Sequence, residues 1–456
     1  MTLALDSKIF GPLFKDDEVD GLFDDAAFLR AMLEVEGALA RVEADLDIIP
    51  SSAAERIFEI CRIAVLDPQQ IGQGTQRDGV PVISLVKDLR QAVGKEAAPY
   101  VHWGATTQDI VDTAMVLQIR SAIQIMEQRL ISIIDRLAIL ADRHRPTVMA
   151  GRTHGQQALP ISFGIKAAGW LAPLVRHRKR LVKQRAGLLQ LQFGGAAGTL
   201  AALGENGLAV MQGLAQELGL NLPIMPWHSQ RDGFGEFAGW LSMLTAGLAK
   251  IGQDIILLAQ NEVGEVMESG GQDRGGSSAM PQKRNPIVSE LLIAAARTNA
   301  SLLSAMHNAM IQEHERATHG WQMEWLTLSQ MIQLTGGALK NALFLAQNLK
   351  INAARMRQNI DRSNYLVLAE AAVQALTAEI PRTDAHALVK GACEVAVAKD
   401  LSLIDVVRQQ FGAIAPQNKI DWEALAKPEN YLGQTEHFID RVLEQVKNIN
   451  PTDQKI

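Results

Sequence analysis

From Asp109 to Arg145 the chain carries neither glycine nor proline, and apolar residues recur at helical spacing throughout. An unbroken helix of that length spans about 50 Å, far beyond an ordinary globular helix, and Pro146 ends it. Comparable helical periodicity covers 163–192, 233–268, 287–319 and 322–359. Alternating β-branched runs bounded by turns are nearly absent, so the expected class is all-α. Five such helices are too long for a compact small domain and predict a rod-like, elongated central bundle. Apolar stripes of this length also pack well against partner chains, so an oligomer is expected.

Shorter elements flank this bundle. Over 24–48, Phe28, Met32, Val35, Leu39, Val42 and Leu46 step by four and three along one helical face. Pro50, Ser51 and Ser52 end that helix and can start the next. Residues 53–98 read as shorter helices broken at Gly72–Gly74 and at Gly79–Pro81. After Asp361 the helices shorten again, punctuated by Pro381, Pro416, Pro428 and Pro451. The expected layout is three helical domains: 1–105, a central bundle 106–360, and a small C-terminal domain 361–456.

Composition narrows the function. Hydrophobic residues make up 47% of the 456, enough to build a large core and to exclude wholesale disorder. Lys+Arg 44 against Asp+Glu 50 gives a net charge of -6, which disfavours a nucleic-acid partner in the absence of a long basic run. A small anionic substrate remains compatible, because a few cations in a pocket outweigh a mildly acidic exterior. Cys61 and Cys393 lie far apart and in no CxxC pattern, which fits a reducing cytoplasm and disfavours a disulfide scaffold or zinc knuckle. No run of 18 apolar residues is present, so no membrane span is expected. The first residues lack a basic start and a long apolar stretch, so no signal peptide is expected.

Three polar, glycine-containing segments interrupt the helices, each placed where a long helix begins or ends. The first, His102–Asp109, sets Thr106, Thr107 and Asp109 directly before the longest helix. Backbone N–H groups and hydroxyls there suit a carboxylate, although plain helix capping calls for the same residue types. The second, Gly151–Pro160, holds His154, a proton carrier near neutral pH or a histidine that only fixes a turn, with Thr153 and Gln156 as donors. The third, 270–286, has four glycines in 270–276, which predict a mobile lid, followed by Ser277, Ser278, Lys283, Arg284 and Asn285. It offers a base, a cation and an amide donor on one loop, and it lacks the phosphate-binding pattern of a P-loop. A weaker fourth segment, Gln312–His319, spaces His314 and His319 five apart, unlike a zinc helix. There Arg316 is a carboxylate clamp or part of a charged helix end.

The text GSSAMPQKRNP at 276–286 resembles the signature loop of the fumarase/aspartase superfamily. ATTQDIVDTA (105–114) and GRTHGQQALP (151–160) look like that family's other two motifs, in the expected order. Within it, VPVISLVKDL, LQFGGAAGTLAALG (191–204), PWHSQRDGFGEFA (226–238), QEHERATHGWQMEW (312–325), NYLVLAEA (364–371) and NYLGQ (430–434) are similar to the lactonising branch. Adenylosuccinate lyases, the competing branch, carry a His-Asp pair before the first motif, and 79–87 has no histidine.

The resemblance implies an intramolecular lyase, free of metal and cofactor, that closes a conjugated tricarboxylate to a lactone in aromatic-compound breakdown. It implies a homotetramer with active sites shared between subunits. It places Ser277 at the proton-transfer position with His154 as partner or second acid, and Lys283 as a rival for that role. Thr106, Thr107, Gln108, Thr153, Ser278, Asn285 and Arg316 would bind substrate. The alternatives are a fumarate-releasing lyase such as adenylosuccinate lyase and, more remotely, a non-catalytic structural relative.

Overall fold

In the computed structural model the described residues are 4–269, 274–316 and 318–447. Among them the chain is 69% helical, with eighteen α-helices, and its strands form two short antiparallel pairs, with one isolated bridge between Gln190 and Asn221. The all-α expectation therefore holds. Two of the glycines assigned to the lid, Gly270 and Gly271, lie outside the described residues. The chain forms two compact units. The first comprises Met1–Arg129, His177–Ala246 and Ala294–Lys340, and the second Leu130–Arg176, Gly247–Ile293 and Asn341–Ile456.

The long stretches are the helices Thr107–Arg143, Phe163–Leu188, Asp232–Leu258, Ile287–Ala309 and His319–Asn348, each contributing residues to both units. Three end about ten residues sooner than their periodicity suggests, at Leu258, Ala309 and Asn348. Past Asn348 the chain becomes strand β4 (Leu349–Ile351), which pairs with β3 (Val266–Glu268). Helix resumes at Ala353–Asp361, where the Asn352 side chain accepts the Arg355 N–H at 3.0 Å. A side-chain cap and a strand partner satisfy the backbone there, so the apolar spacing does not carry one helix through. The Asp232–Leu258 helix is long and apolar enough to cross a membrane by length and composition alone. Its Phe237, Leu241, Leu244 and Leu248 are fully buried in the fold, so that hydropathy serves a packed core.

In the first unit the helix Asp25–Asp45 begins at Asp24, whose carboxylate accepts the Ala27 N–H at 2.7 Å. Met32, Val35, Leu39 and Val42 of the expected stripe are buried. This face meets the helix Ser51–Ile63 at Gly37, where a Cβ would lie 3.1 Å from Cys61. The expected break at Gly72–Gly74 is absent: Pro68–Asp78 is one helix that runs through both glycines. Gly74 is there for close approach, since a Cβ would fall 1.7 Å from the Ser84 hydroxyl of the helix Val82–Val93. The break at Gly79 holds, with that residue in the left-handed region.

One buried group in this unit carries a pH prediction. Glu43 is fully buried, neither carboxyl oxygen has a hydrogen-bond partner among the described residues, and burial, reinforced by Glu36, pushes its pKa up to about 9. The native state therefore keeps a proton that the unfolded chain releases above its ordinary pKa near 4.5. Stability falls as pH rises from about 4.5 to about 9, by at most ~1.4 kcal/mol per pH unit. Glu43→Gln removes that slope. The melting temperature of the variant relative to wild type should rise steadily between pH 5.5 and pH 8.5; a pH-independent difference would refute the assignment.

In the second unit, strands β1 (Val148–Thr153) and β2 (Gln156–Ser162) form an antiparallel hairpin. Val148 and Ala150 are buried against Ile360, Val367, Leu368 and the helices Ala369–Thr377, Arg382–Lys399 and Leu403–Ile414, whose Leu376, Val389, Val407 and Phe411 fill the same core. The second polar segment is thus strand and turn, where a plain helix-end loop was expected. Its register irregularity lies at Gly151, where a Cβ would press on Ile161 at 3.0 Å.

Candidate active site

The first polar segment is organised by Asp109, which is fully buried. One carboxylate oxygen accepts the Gly194 N–H at 2.9 Å and lies 2.7 Å from the His228 Nε2. The other accepts the Gly195 N–H at 2.9 Å and the Thr106 N–H at 3.0 Å. These contacts fasten the start of the Thr107–Arg143 helix to two distant segments. They also explain the glycines of 194–195: a Cβ on Gly194 would sit 2.6 Å from Pro226, and Gly195 has φ +67°. Only glycines let both amides reach the carboxylate. The capping role expected for Asp109 is present, and its anchoring role is larger.

Gln108 is also buried, and its amide is committed. Its Nε2 donates to Asp112 at 3.1 Å and to the His228 carbonyl at 2.9 Å, while its oxygen accepts from the Arg316 Nε at 3.4 Å. Arg316 also donates through Nη1 to the Thr106 hydroxyl at 2.5 Å. Thr106, Gln108 and Arg316 are therefore brought together across some two hundred residues, with Thr107 opening the helix beside them. Among the described residues the Nη2 of Arg316 has no hydrogen-bond partner, so this cluster offers a guanidinium edge and hydroxyls to an anion.

Behind it lies a charge network that sequence reasoning missed. Asp112 accepts from Trp321 at 2.8 Å and from Arg231 at 2.7 and 3.2 Å, and Arg231 reaches Glu324 at 2.8 and 2.5 Å. Burial alone would depress the Arg231 guanidinium, but Asp112 and Glu324 outweigh it and hold its pKa above the ordinary range. Burial raises Glu324 despite Arg231. Arg231 and His228 stand in the segment 226–238, which drew notice only through its family likeness. No local pattern announces that they pair with residues 93 to 119 positions away.

The hairpin presents the second segment. His154 and Gly155 form its two-residue turn, with φ +51° and +76°. Positive φ at both positions defines the turn type that suits the twist of paired strands. It leaves the His154 ring exposed, beside an exposed Thr153. The hairpin base is held by Arg152, whose two terminal nitrogens meet the buried Glu265 carboxylate at 2.9 and 2.7 Å, and by Asn359, which donates to the same carboxylate at 2.8 Å.

In the third segment the Gly275 carbonyl accepts the Asn285 N–H at 2.8 Å. Gly275 has φ +76°, and a Cβ there would lie 2.5 Å from the Asn285 carbonyl, so this pinch requires glycine. Glu268 accepts the N–H groups of Val288 and Ser289 at 3.1 and 2.8 Å, capping the helix Ile287–Ala309. Between these fastenings the Ser277 hydroxyl accepts the N–H groups of Ala279 and Met280 at 3.4 and 3.3 Å. N–H donors aimed at this oxygen stabilise negative charge on it. Ser278 and Lys283 are exposed and Asn285 is half-buried; the Lys283 ammonium has no carboxylate partner among the described residues. Among the described residues no group of three or more His, Cys, Asp or Glu side chains is placed to hold a metal ion.

The chain matches the family described as "Lyase" over residues 14–298. It is 43% identical to 3-carboxy-cis,cis-muconate cycloisomerase of Pseudomonas aeruginosa over 96% of each chain. It is 40% identical to trans-aconitate decarboxylase 1 of Mycosarcoma maydis over 95% of this chain and 88% of that one. The crystal structure of the 3-carboxy-cis,cis-muconate lactonizing enzyme of Pseudomonas putida superposes with a TM-score of 0.92 at 40% identity, covering 97% and 99% of the two chains. The chain belongs to the lyase family, and the fumarase-superfamily resemblance carried by its three motifs extends over its length.

Proposed function

We propose that this chain interconverts 3-carboxy-cis,cis-muconate and 4-carboxymuconolactone, acting in the β-ketoadipate route of protocatechuate breakdown in the cytoplasm. The observation that carries the reading is identity above 40% to two relatives of that name, over nearly the whole length of every chain compared. One substrate carboxylate oxygen adds to the alkene carbon bearing the central carboxylate. A C–O bond forms, and the alkene electrons move to the neighbouring carbon, where an adjoining carboxylate delocalises them as an enolate-like dianion. A proton delivered to that carbon completes the lactone.

The protein's part is to bind three carboxylates, stabilise the dianion and hold the proton. Stabilisation of developing charge by fixed donors is usually the largest single contribution. Thr106, Thr107 and Arg316, with Gln108 and Thr153 supporting, would bind carboxylates; Lys283, Asn285 and Ser278 would face the dianion. Ser277 would deliver the proton, with His154 as partner or second acid. A homotetramer in which different subunits supply the polar segments to each site is part of the proposal, as is the division into domains 1–105, 106–360 and 361–456.

The test follows the ultraviolet absorbance of 3-carboxy-cis,cis-muconate on adding purified protein, with loss of the conjugated diene and appearance of the lactone expected. A second reading, decarboxylation of a related unsaturated tricarboxylate, is favoured by the likeness to trans-aconitate decarboxylase 1. Release of carbon dioxide from trans-aconitate with no lactonisation would decide for it. AMP formed from adenylosuccinate would decide for a fumarate-releasing lyase.

A further inference from the structure

A hollow of about 570 Å³ opens in the first unit, lined by Val82, Ile83 and Val86 together with Lys87, Arg90, Gln91, His102 and Thr107. Its lining mixes two chemistries. Successive turns of the helix Val82–Val93 present the apolar residues, and Lys87 and Arg90, three apart, share a face of the same helix. The Arg90 Nη2 donates to the Val101 carbonyl at 3.2 Å, which fixes the guanidinium beside the first motif.

Neither Lys87 nor Arg90 forms an ion pair among the described residues. The nearby carboxylate of Asp88 accepts from Gln70 at 3.2 and 3.1 Å, and that of Glu36 is taken by the His102 Nδ1 at 2.6 Å. Lys87 has no carboxylate partner among the described residues. Two cations with no carboxylate partner among the described residues thus stand beside Val82, Ile83 and Val86, and Thr107, the first residue of the long helix, lines the same space.

We infer that Lys87 and Arg90 form a carboxylate subsite that holds the spectator carboxylate of an unsaturated tricarboxylate. Of the three carboxylates in the proposed reaction, one attacks and one delocalises the developing charge. The third takes no part in bond making, so a contact to it contributes binding equally to the ground state and the transition state. A flat conjugated skeleton suits Val82, Ile83 and Val86, and a carboxylate on its edge suits a cation pair. This subsite distinguishes tricarboxylates from dicarboxylates of the same length, and the inference rests on the lactonising reading.

The test substitutes Lys87→Met and Arg90→Gln separately. With 3-carboxy-cis,cis-muconate, each variant should raise KM at least about tenfold and keep kcat within about threefold, the signature of a lost binding contact. Inhibition by cis,cis-muconate, which lacks the third carboxylate, should change less than about twofold in both variants, and Lys87→Arg should restore most of the lost affinity. Both side chains are exposed, so melting temperatures should stay at the wild-type value.

Variants that keep the wild-type KM overturn the subsite and leave the reaction standing. A wild-type protein that does not turn over 3-carboxy-cis,cis-muconate overturns the reaction, and calorimetric titration with propane-1,2,3-tricarboxylate then decides the subsite alone. Binding at least about tenfold weaker in both variants supports it, and equal binding overturns it.

Discussion

Ser277→Ala should lower the rate of 3-carboxy-cis,cis-muconate lactonisation by roughly a hundredfold to ten-thousandfold, the usual range for losing a positioned proton-transfer group. Its hydroxyl receives two backbone N–H groups, from Ala279 and Met280, which favour the oxyanion a proton donor leaves behind. The loop that carries it is pinched by the Gly275–Asn285 hydrogen bond and by the Glu268 cap, and neither involves the serine side chain. The variant should therefore melt at the wild-type temperature while kcat falls. Lys283→Ala separates the two rival roles for the cation. If the lysine stabilises the dianion, kcat falls and its pH profile keeps the wild-type shape; if it delivers the proton, the limb for the acid moves or vanishes. Wild-type rates in both variants would sink the assignment of this loop to the chemistry.

Arg231→Met should destabilise the protein by roughly 3–5 kcal/mol, because it strands Asp112 and Glu324 as uncompensated buried charges. The Arg231 side chain has no solvent exposure and bridges the two carboxylates, so neither can turn to water. The effect should reach function as well. Asp112 holds Gln108, and Gln108 with Thr106 holds Arg316, so loss of Arg231 loosens the guanidinium proposed to bind substrate. Thermal melting with a KM measurement at a temperature where the variant is folded checks both parts. Replacing Asp112, Arg231 and Glu324 together by apolar residues should recover much of the stability and none of the Arg316 alignment. A melting point unchanged in Arg231→Met would show that the network is not stabilising.

What could be read along the chain follows from local energetics. The stripe from Met32 to Val42 is a periodic pattern that fits one helical face, and Asp24 is a capping side chain three residues from the N–H it accepts. The candidate site residues were visible because serines, a lysine and glycines between long apolar helices have no packing role to explain them. The hairpin was not visible. Its strands VMAGRT and QQALPIS carry glycine, proline and polar residues, and they pair because Val148 and Ala150 bury against the C-terminal helices. Gly74 misled for a related reason: a glycine written as a helix breaker is, in the fold, the gap that admits Ser84.

By itself the sequence determined the helical class, the starts of the long helices and the polar segments, since capping, periodicity and residue chemistry act over a few positions. Only the tertiary structure decided which charges are buried together. Asp109 meets His228 and Gly194, Asp112 meets Arg231 and Trp321, and Arg316 meets Thr106, pairs separated by some 85 to 210 positions. The reason is energetic: a buried charge is tolerable only where a partner and hydrogen-bond donors already stand, and which donors stand there depends on how distant segments pack.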